Sequence, residues 1–190
     1  MDIVAMTIPE VKVIRPRVFN DARGYFMETW NRRAFAAASG IDLDFVQDNQ
    51  SLSVSTGTVR GLHFQSPPCA QDKLIRVLAG TILDVAVDIR QGSPSFGRWV
   101  AAELSAKNRQ QLLVPIGFAH GFVTLEPDTI VAYKVSNHYS KENDLGIRWN
   151  DPDIAVDWPL PPSGAVLSEK DAALPFLRDI SPLFTWRAAL

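Results

Sequence analysis

Two histidines stand in segments that otherwise read as apolar strands. They are His63 in TVRGLHFQ, residues 58–65, and His120 in PIGFAHGF, residues 115–122. An unperturbed imidazole titrates near pH ~6.5, so either ring suits proton transfer at ordinary pH. His63 has a cation three residues away, Arg60, with Gly61 between them. In a regular strand Arg60 and Leu62 share one face, while Gly61 and His63 share the other. A glycine inside a strand often marks a bulge or a close backbone approach. A bulge at Gly61 is expected to swing cation and base towards one cavity. His120 follows a turn flanked by Pro115 and Gly117, between Ala119 and Gly121, with little local polar company. Either histidine alone reads as readily as a core residue satisfied by a backbone carbonyl. Two such sites in one small chain weigh against that reading.

Other polar residues carry weaker signals one at a time. Gln47 and Asn49 alternate in QDNQS, so both can face one cavity as hydrogen-bonding groups. Arg23, Phe26 and Glu28 in DARGYFMETW read locally as surface charge and an edge aromatic. Lys73 begins the apolar run KLIRVLAG, and a lysine at a strand edge is usually solvated. Tyr133 shares a strand face with Val131 and Val135, which favours a core role. Lys170 and Asp171 read as the solvated start of a short helix. The single cysteine, Cys69, excludes an internal disulfide framework. It fits a reducing, cytoplasmic compartment, and it reads as a buried or loop thiol.

These residues need elements to hold them, and the elements read mostly as β. VKVIRPRVF, SLSVSTGTV, KLIRVLAG, TILDVAVDI, RWVAAELS, QQLLVPIGF, GFVTLE and TIVAYKVSN are short and rich in Val, Ile and Thr. They recur about every ten residues with Gly, Pro, Asn or Ser between them. That spacing predicts an antiparallel sandwich or barrel rather than βαβ units. Helices are expected at 31–39, stopped by Gly40, and just after Ser168, ended by Pro175. The stretch NDPDIAVDWPLPPSG reads as loop. With 190 residues and no internal repeat, one all-β domain spanning 1–190 with a helical fringe is expected. A net charge of −2 gives no basic surface for nucleic acid. No window reaches the ~18 apolar residues of a membrane helix. MDIVAMTIPEVKVIRP has no long apolar core and is not expected to be a signal peptide.

The two histidine motifs, P-x-G-x-x-H and G-x-H, resemble the pattern of cupin jelly rolls. Metal-binding cupins add a His-x-His pair, a following Glu and a third His. Here the first motif reads His63-Phe64-Gln65 with no glutamate close behind. A first-row metal wants about three or four protein ligands, so no metal is expected. DARGYF, QDNQS, TVRGLHFQ, KLIRVLAG, DVAVDIR, SFGRW, PIGFAHGF, Tyr133, GIRWNDPDIAVDWP and LSEKD together resemble dTDP-4-dehydrorhamnose 3,5-epimerases. The motifs run in that family's order from about residue 15 to 178.

The resemblance implies a double-stranded β-helix (jelly roll) with a few peripheral helices, a homodimer, a dTDP-sugar substrate and no cofactor. It implies His63 as general base, Asp171 as the carboxylate orienting it, Tyr133 as general acid and Lys73 as the group that stabilises an enolate oxygen. His120 and Arg60 match positions near sugar and phosphate. Arg23, Phe26, Glu28, Gln47 and Asn49 match positions that hold the nucleotide-sugar, and Lys170 lies in the matching tail segment. Asp144, in KENDLG, stands where family members often carry Glu. Some pocket residues in this family come from the partner subunit. The same motifs fit epimerases acting at C3 alone or C5 alone, and a non-catalytic sugar-nucleotide binder is the alternative from another class.

Overall fold

In the computed structural model, residues 1–187 are described. Strands β1 (Asp2–Ala5) and β2 (Lys12–Arg15) form an antiparallel pair. Pro16, which has no N–H to donate, ends β2 and splits VKVIRPRVF, so the expected single strand is two. The second piece is β3 (Val18–Asp21), which pairs only with β4 (Gly24–Met27) as a separate hairpin. Helix α1 (Arg32–Ser39) begins and ends as its sequence requires. The Asn31 side chain accepts the Ala34 N–H, and Gly40 takes the left-handed conformation with φ +72°.

Ten more strands follow before the tail, nine of them divided between two facing sheets and a two-residue one standing outside both. They are β5 (Gln47–Ser53), β6 (Val59–Gln65), β7 (Lys73–Ala79), β8 (Thr81–Asp88), β9 (Arg90–Gln91), β10 (Trp99–Ser105), β11 (Gln111–Val114), β12 (Phe118–Thr124), β13 (Thr129–Val135) and β14 (Asp144–Gly146). The six-stranded sheet runs β1-β2-β11-β7-β13-β5, and the five-stranded sheet runs β10-β8-β12-β6-β14. This is a cupin-like jelly roll, as the strand spacing and the resemblance implied. Helix α2 (Glu169–Ala172) and β15 (Phe184–Thr185), which pairs parallel to β9, complete it. Two further expected strands break where proline or a turn intervenes. SLSVSTGTV divides between β5 and β6, and QQLLVPIGF divides at Pro115. GFVTLE reaches back to Phe118, so His120 follows the expected turn and sits within the strand.

Hydrophobic residues from both sheets meet between them. Ile75, Val77 and Val131 of one face Ala86, Phe118 and Phe122 of the other. The outer face of the five-stranded sheet is covered by the C-terminal segment through Ile147, Ile154, Trp158 and Phe184. The loop reading of the NDPDIAVDWP stretch holds, yet two of its apolar residues are anchors. On the outside of the other sheet, Phe35 of α1 seals Ile14, Leu74 and Leu113. Each such anchor contributes on the order of 1.5–3 kcal/mol through burial. No helix among the described residues is long and apolar enough to cross a membrane.

The Gly61 bulge is present. His63 pairs with His120 and Arg60 with Phe122, so three steps along β6 (60 to 63) answer two along β12 (122 to 120). Gly61 has φ +134°, and a Cβ there would lie 2.5 Å from Gly121 Cα. Only glycine permits that approach. The extra residue brings Arg60 and His63 to the same side of the strand, facing the space between the sheets.

Candidate active site

The cavity between the sheets has two adjoining parts. The inner part, about 170 Å³, is lined by Ser51, Arg60, His63, Lys73, His120, Phe122, Tyr133 and Asp171. The outer part, about 340 Å³, shares His63, Lys73 and Tyr133 and adds Gln47, Asn49, Tyr139, Asp144 and Lys170 among others. Ten of the thirteen residues singled out from sequence therefore line one cavity.

His63 Nε2 lies 2.5 Å from Asp171 Oδ1, although the two are 108 residues apart in the chain. Helix α2 places that carboxylate. Ser168 caps the helix by accepting the Asp171 N–H at 3.1 Å. Asp171 is only 4% exposed, which corrects the local reading of a solvated position. Burial disfavours its charge, but the hydrogen bonds with His63 and Ser168 and the positive charge of Lys170 outweigh it. They hold the carboxyl below the usual range. With Nε2–H given to the carboxylate, His63 Nδ1 is left as the free acceptor.

Lys73 is not the solvated edge lysine its local context suggested. β7 lies between β11 and β13, and Lys73 is 8% exposed at the cavity floor. Its Nζ donates to the His63 carbonyl at 3.2 Å. Burial pulls its pKa down to about 8, against the opposing pull of Asp144 and Asp84. Tyr133 is half-buried on β13, between Val131 and Val135 on the inward face. Burial raises its pKa, Asp144 adds to the rise, and Arg60 offsets part of it. The phenol therefore stays protonated at neutral pH. His63 and Tyr133 belong to opposite sheets, so they meet the cavity from opposite walls.

Arg60 is braced from behind by the Ser53 hydroxyl (3.1 Å) and the Leu52 carbonyl (3.0 Å). Gln47 donates to Asn49 Oδ1 at 2.8 Å, so their alternation does put both on one face. Lys170 bonds Asp144 Oδ2 at 2.5 Å, and the same oxygen accepts the Tyr139 hydroxyl at 3.2 Å. Asp144 thus joins Lys170 and Tyr139 at the cavity mouth. His120 Nε2 sits 2.7 Å from Asp84 Oδ1.

Three sequence candidates stay apart. Arg23 pairs with Asp21 at the tip of the β3–β4 hairpin, Phe26 is 67% exposed, and Glu28 accepts from Asn31. None of them lines the cavity of its own chain. Among the polar residues that escaped the sequence reading, Ser51 and Tyr139 line the cavity and Asp84 lies outside its lining. Ser51 continues the Gln47–Asn49 alternation, which was the available signal. Asp84 is a charge inside an apolar strand, a pattern that rarely survives burial without a partner.

A jelly roll whose cavity sets an imidazole–carboxylate dyad opposite a tyrosine and a buried lysine suits an isomerase that moves protons on carbons beside a carbonyl. The profile of the dTDP-4-dehydrorhamnose 3,5-epimerases matches residues 5–179. The dTDP-4-dehydrorhamnose 3,5-epimerase of Sinorhizobium fredii is 52% identical over 182 residues, 96% of this chain and 92% of its own. The crystal structure of the Legionella pneumophila dTDP-6-deoxy-D-glucose-3,5-epimerase, in complex with dTDP-4-keto-L-rhamnose, superposes with a TM-score of 0.94 at 44% identity. It covers 98% of this chain and 99% of that one. A 3′-monoepimerase from Streptomyces bikiniensis, in complex with dTDP-quinovose, is more distant: TM-score 0.85 at 30% identity, covering 92% and 87%. The chain belongs to the dTDP-4-dehydrorhamnose 3,5-epimerase family.

Proposed function

We propose that the protein epimerises C3 and C5 of dTDP-4-dehydro-6-deoxy-D-glucose, giving dTDP-4-dehydro-L-rhamnose. The observation that carries this reading is the placement of His63 and Tyr133 on opposite sheets of one cavity, with Lys73 on the strand beside Tyr133. Carbons 3 and 5 flank the C4 ketone, so their protons are weakly acidic. His63 Nδ1 takes a proton from one face, and the electron pair moves into the C4 oxygen. The Lys73 ammonium meets the resulting enolate charge, stabilising it more than the ketone. Tyr133 then gives its proton to the opposite face of the same carbon, which inverts it. Exchange with water restores the histidine and the phenol, and the second carbon follows by the same steps. Asp171 holds the neutral tautomer of His63 and stabilises the imidazolium that forms.

The remaining groups suit a diphosphate sugar. Arg60 and Lys170 offer donors to phosphate oxygens. Tyr139, 57% exposed at the mouth, gives a flat face for thymine. Arg23, Phe26 and Glu28 serve in the cavity of a second copy. Their hairpin exposes Phe19, Tyr25 and Phe26, an apolar surface that association would cover. A homodimer therefore completes each site. The greater identity to 3,5-epimerases than to the 3′-monoepimerase supports inversion at both carbons.

The test is incubation with dTDP-4-keto-6-deoxyglucose in D₂O, followed by proton and mass spectra. Deuterium at C3 and C5 with inversion at both is expected. Deuterium and inversion at one carbon would make this a single-site epimerase. Binding without exchange would leave only a sugar-nucleotide binder.

A further inference from the structure

The β3–β4 hairpin pairs with no other strand, so no sheet sets its direction. Its two faces differ. Phe19 and Phe26 stand opposite each other on one face, their ring centroids 6.5 Å apart and both rings exposed. Asn20 and Tyr25, the next pair, fall on the other face. There the Arg109 guanidinium lies over the Tyr25 ring, 4.2 Å from its centroid. Where the chain leaves the hairpin for α1, Gln111 Nε2 donates to the Thr29 carbonyl at 2.9 Å. Two side chains of the barrel thus hold the hairpin, one by a ring and one by its root.

Neither side chain is placed for packing alone. Arg109 sits in the turn joining β10 to β11 with φ +57°, a left-handed conformation that a residue with a Cβ rarely adopts. Asn108 imposes it. Its side chain accepts the Ser105 and Gln110 N–H groups and donates to the Glu103 carbonyl. Arg109 Nε is buried with no hydrogen-bond partner among the described residues, while the guanidinium stacks on Tyr25. Gln111 opens β11 on the outer side of the six-stranded sheet, since its neighbour Leu112 enters the core. It is 1% exposed, and its Oε1 has no hydrogen-bond partner among the described residues. A buried amide left half satisfied is disfavoured against an apolar side chain of the same shape. What the amide supplies, and an apolar side chain would not, is the bond to Thr29.

We propose that Arg109 and Gln111 are positioning residues that act in trans: by holding Tyr25 and Thr29 they aim the hairpin, with its open Phe26 face, into the cavity of a second copy. Neither lines the cavity of its own chain. This inference rests on the reading that the hairpin of one copy completes the site of the other. A trans role differs from ordinary structural support. β11 lies beside β7, and Gln111 stands opposite Arg76 on the strand that carries Lys73. Damage spreading through the barrel would therefore impair the site of the same chain. Loss of the hairpin's aim impairs only the site of the other.

The test assembles heterodimers from differently tagged copies. One copy carries His63→Ala and an intact hairpin. The other carries Arg109→Ala with Gln111→Met and an intact His63. The wild type, measured first for mass and turnover, reports on the underlying reading itself. The homodimer of the double variant should lose about tenfold in kcat/KM, mostly through KM, as one stack and one hydrogen bond imply. In the heterodimer the remaining base meets a hairpin that is still correctly held. Its kcat/KM should return to about half that of the wild-type dimer, one whole site of two. A value of about one twentieth overturns the proposal, because the damage then stays with its own chain. An unchanged KM in the homodimer overturns it as well. A Phe26→Ala copy paired with the same His63→Ala copy tests the exchange of hairpins alone. If that pair is not restored, the trans reading falls and the proposal with it. If it is restored and the Arg109→Ala/Gln111→Met pair is not, only the proposal falls. Should the double variant not fold, Tyr25→Leu removes the same stack from the exposed hairpin. It should raise KM about threefold as a homodimer and be restored in the same pairing. Failure of either overturns the proposal. Arg109→Lys, which keeps a cation over the ring, should hold KM near the wild-type value.

Discussion

His63 and His120 stand opposite each other on β6 and β12, and each gives Nε2 to an aspartate. Their surroundings differ. The His63 side chain is 29% exposed and Asp171 6%, while His120 is 9% exposed and Asp84 0%. Hydrogen bonds and the Lys170 charge overcome burial at Asp171 and hold its pKa down. At Asp84 burial outweighs His120 and Lys73, and the pKa is pushed up. A ring that must take and release protons needs an ionised partner and a path to solvent, and His63 has both. A more deeply buried ring bonded to a buried carboxyl group is suited to holding a fixed orientation. In the proposed reaction one motif thus serves two tasks, and burial separates them.

The sharpest way to break this contrast is to remove each ring. His63→Ala should cost the ~10²–10⁴-fold that positioned proton transfer supplies, read as deuterium uptake from D₂O. His120→Ala should retain uptake within about 10²-fold of wild type. Equal losses would erase the distinction. Tyr133→Phe should separate exchange from inversion, with deuterium still entering and little inverted product formed.

Asp171→Asn tests the ionised partner. Exchange should fall as the imidazolium loses its counter-charge, by no more than His63→Ala. Stability at pH 7 should fall by about 1.5–3 kcal/mol, the worth of a hydrogen bond to a charged group, in urea unfolding. The folded pKa is below the unfolded ~3.9, so the contribution is present above pH ~3.9. It fades as pH drops through the folded value, and the gap from wild type should close there.

Lys73 sharpens the comparison through pH. The proposed reaction uses its ammonium, and burial brings its pKa to about 8, so kcat should decline above about pH 8. A profile flat to pH 10 would remove the enolate role. The smallest effect is expected at the mouth. Lys170 is half exposed in its pair with Asp144, so Lys170→Ala should change stability by no more than about 1 kcal/mol. It should raise KM for the diphosphate sugar more than it lowers kcat.

Local pattern alone settled a good deal. Strand-length runs of Val, Ile and Thr between turn residues called for β structure. Asn31, Gly40 and Ser168 set helix ends that the fold reproduces. Gly61 announced the bulge, because no other residue tolerates that backbone so close to Gly121. What local pattern misjudged was charge. Lys73 and Asp171 read as solvated, since nothing within a few residues of either shows that they will be covered. Their burial depends on β7 becoming an interior strand and on a tail helix returning 108 residues later to meet His63. The opposition of His63 and Tyr133, the exclusion of Arg23 and Phe26 from their own cavity, and the pairing of Asp84 with His120 arise the same way. Period and capping are properties of neighbours in sequence. The desolvation and pairing that turn a charged residue into a catalytic one are properties of neighbours in space.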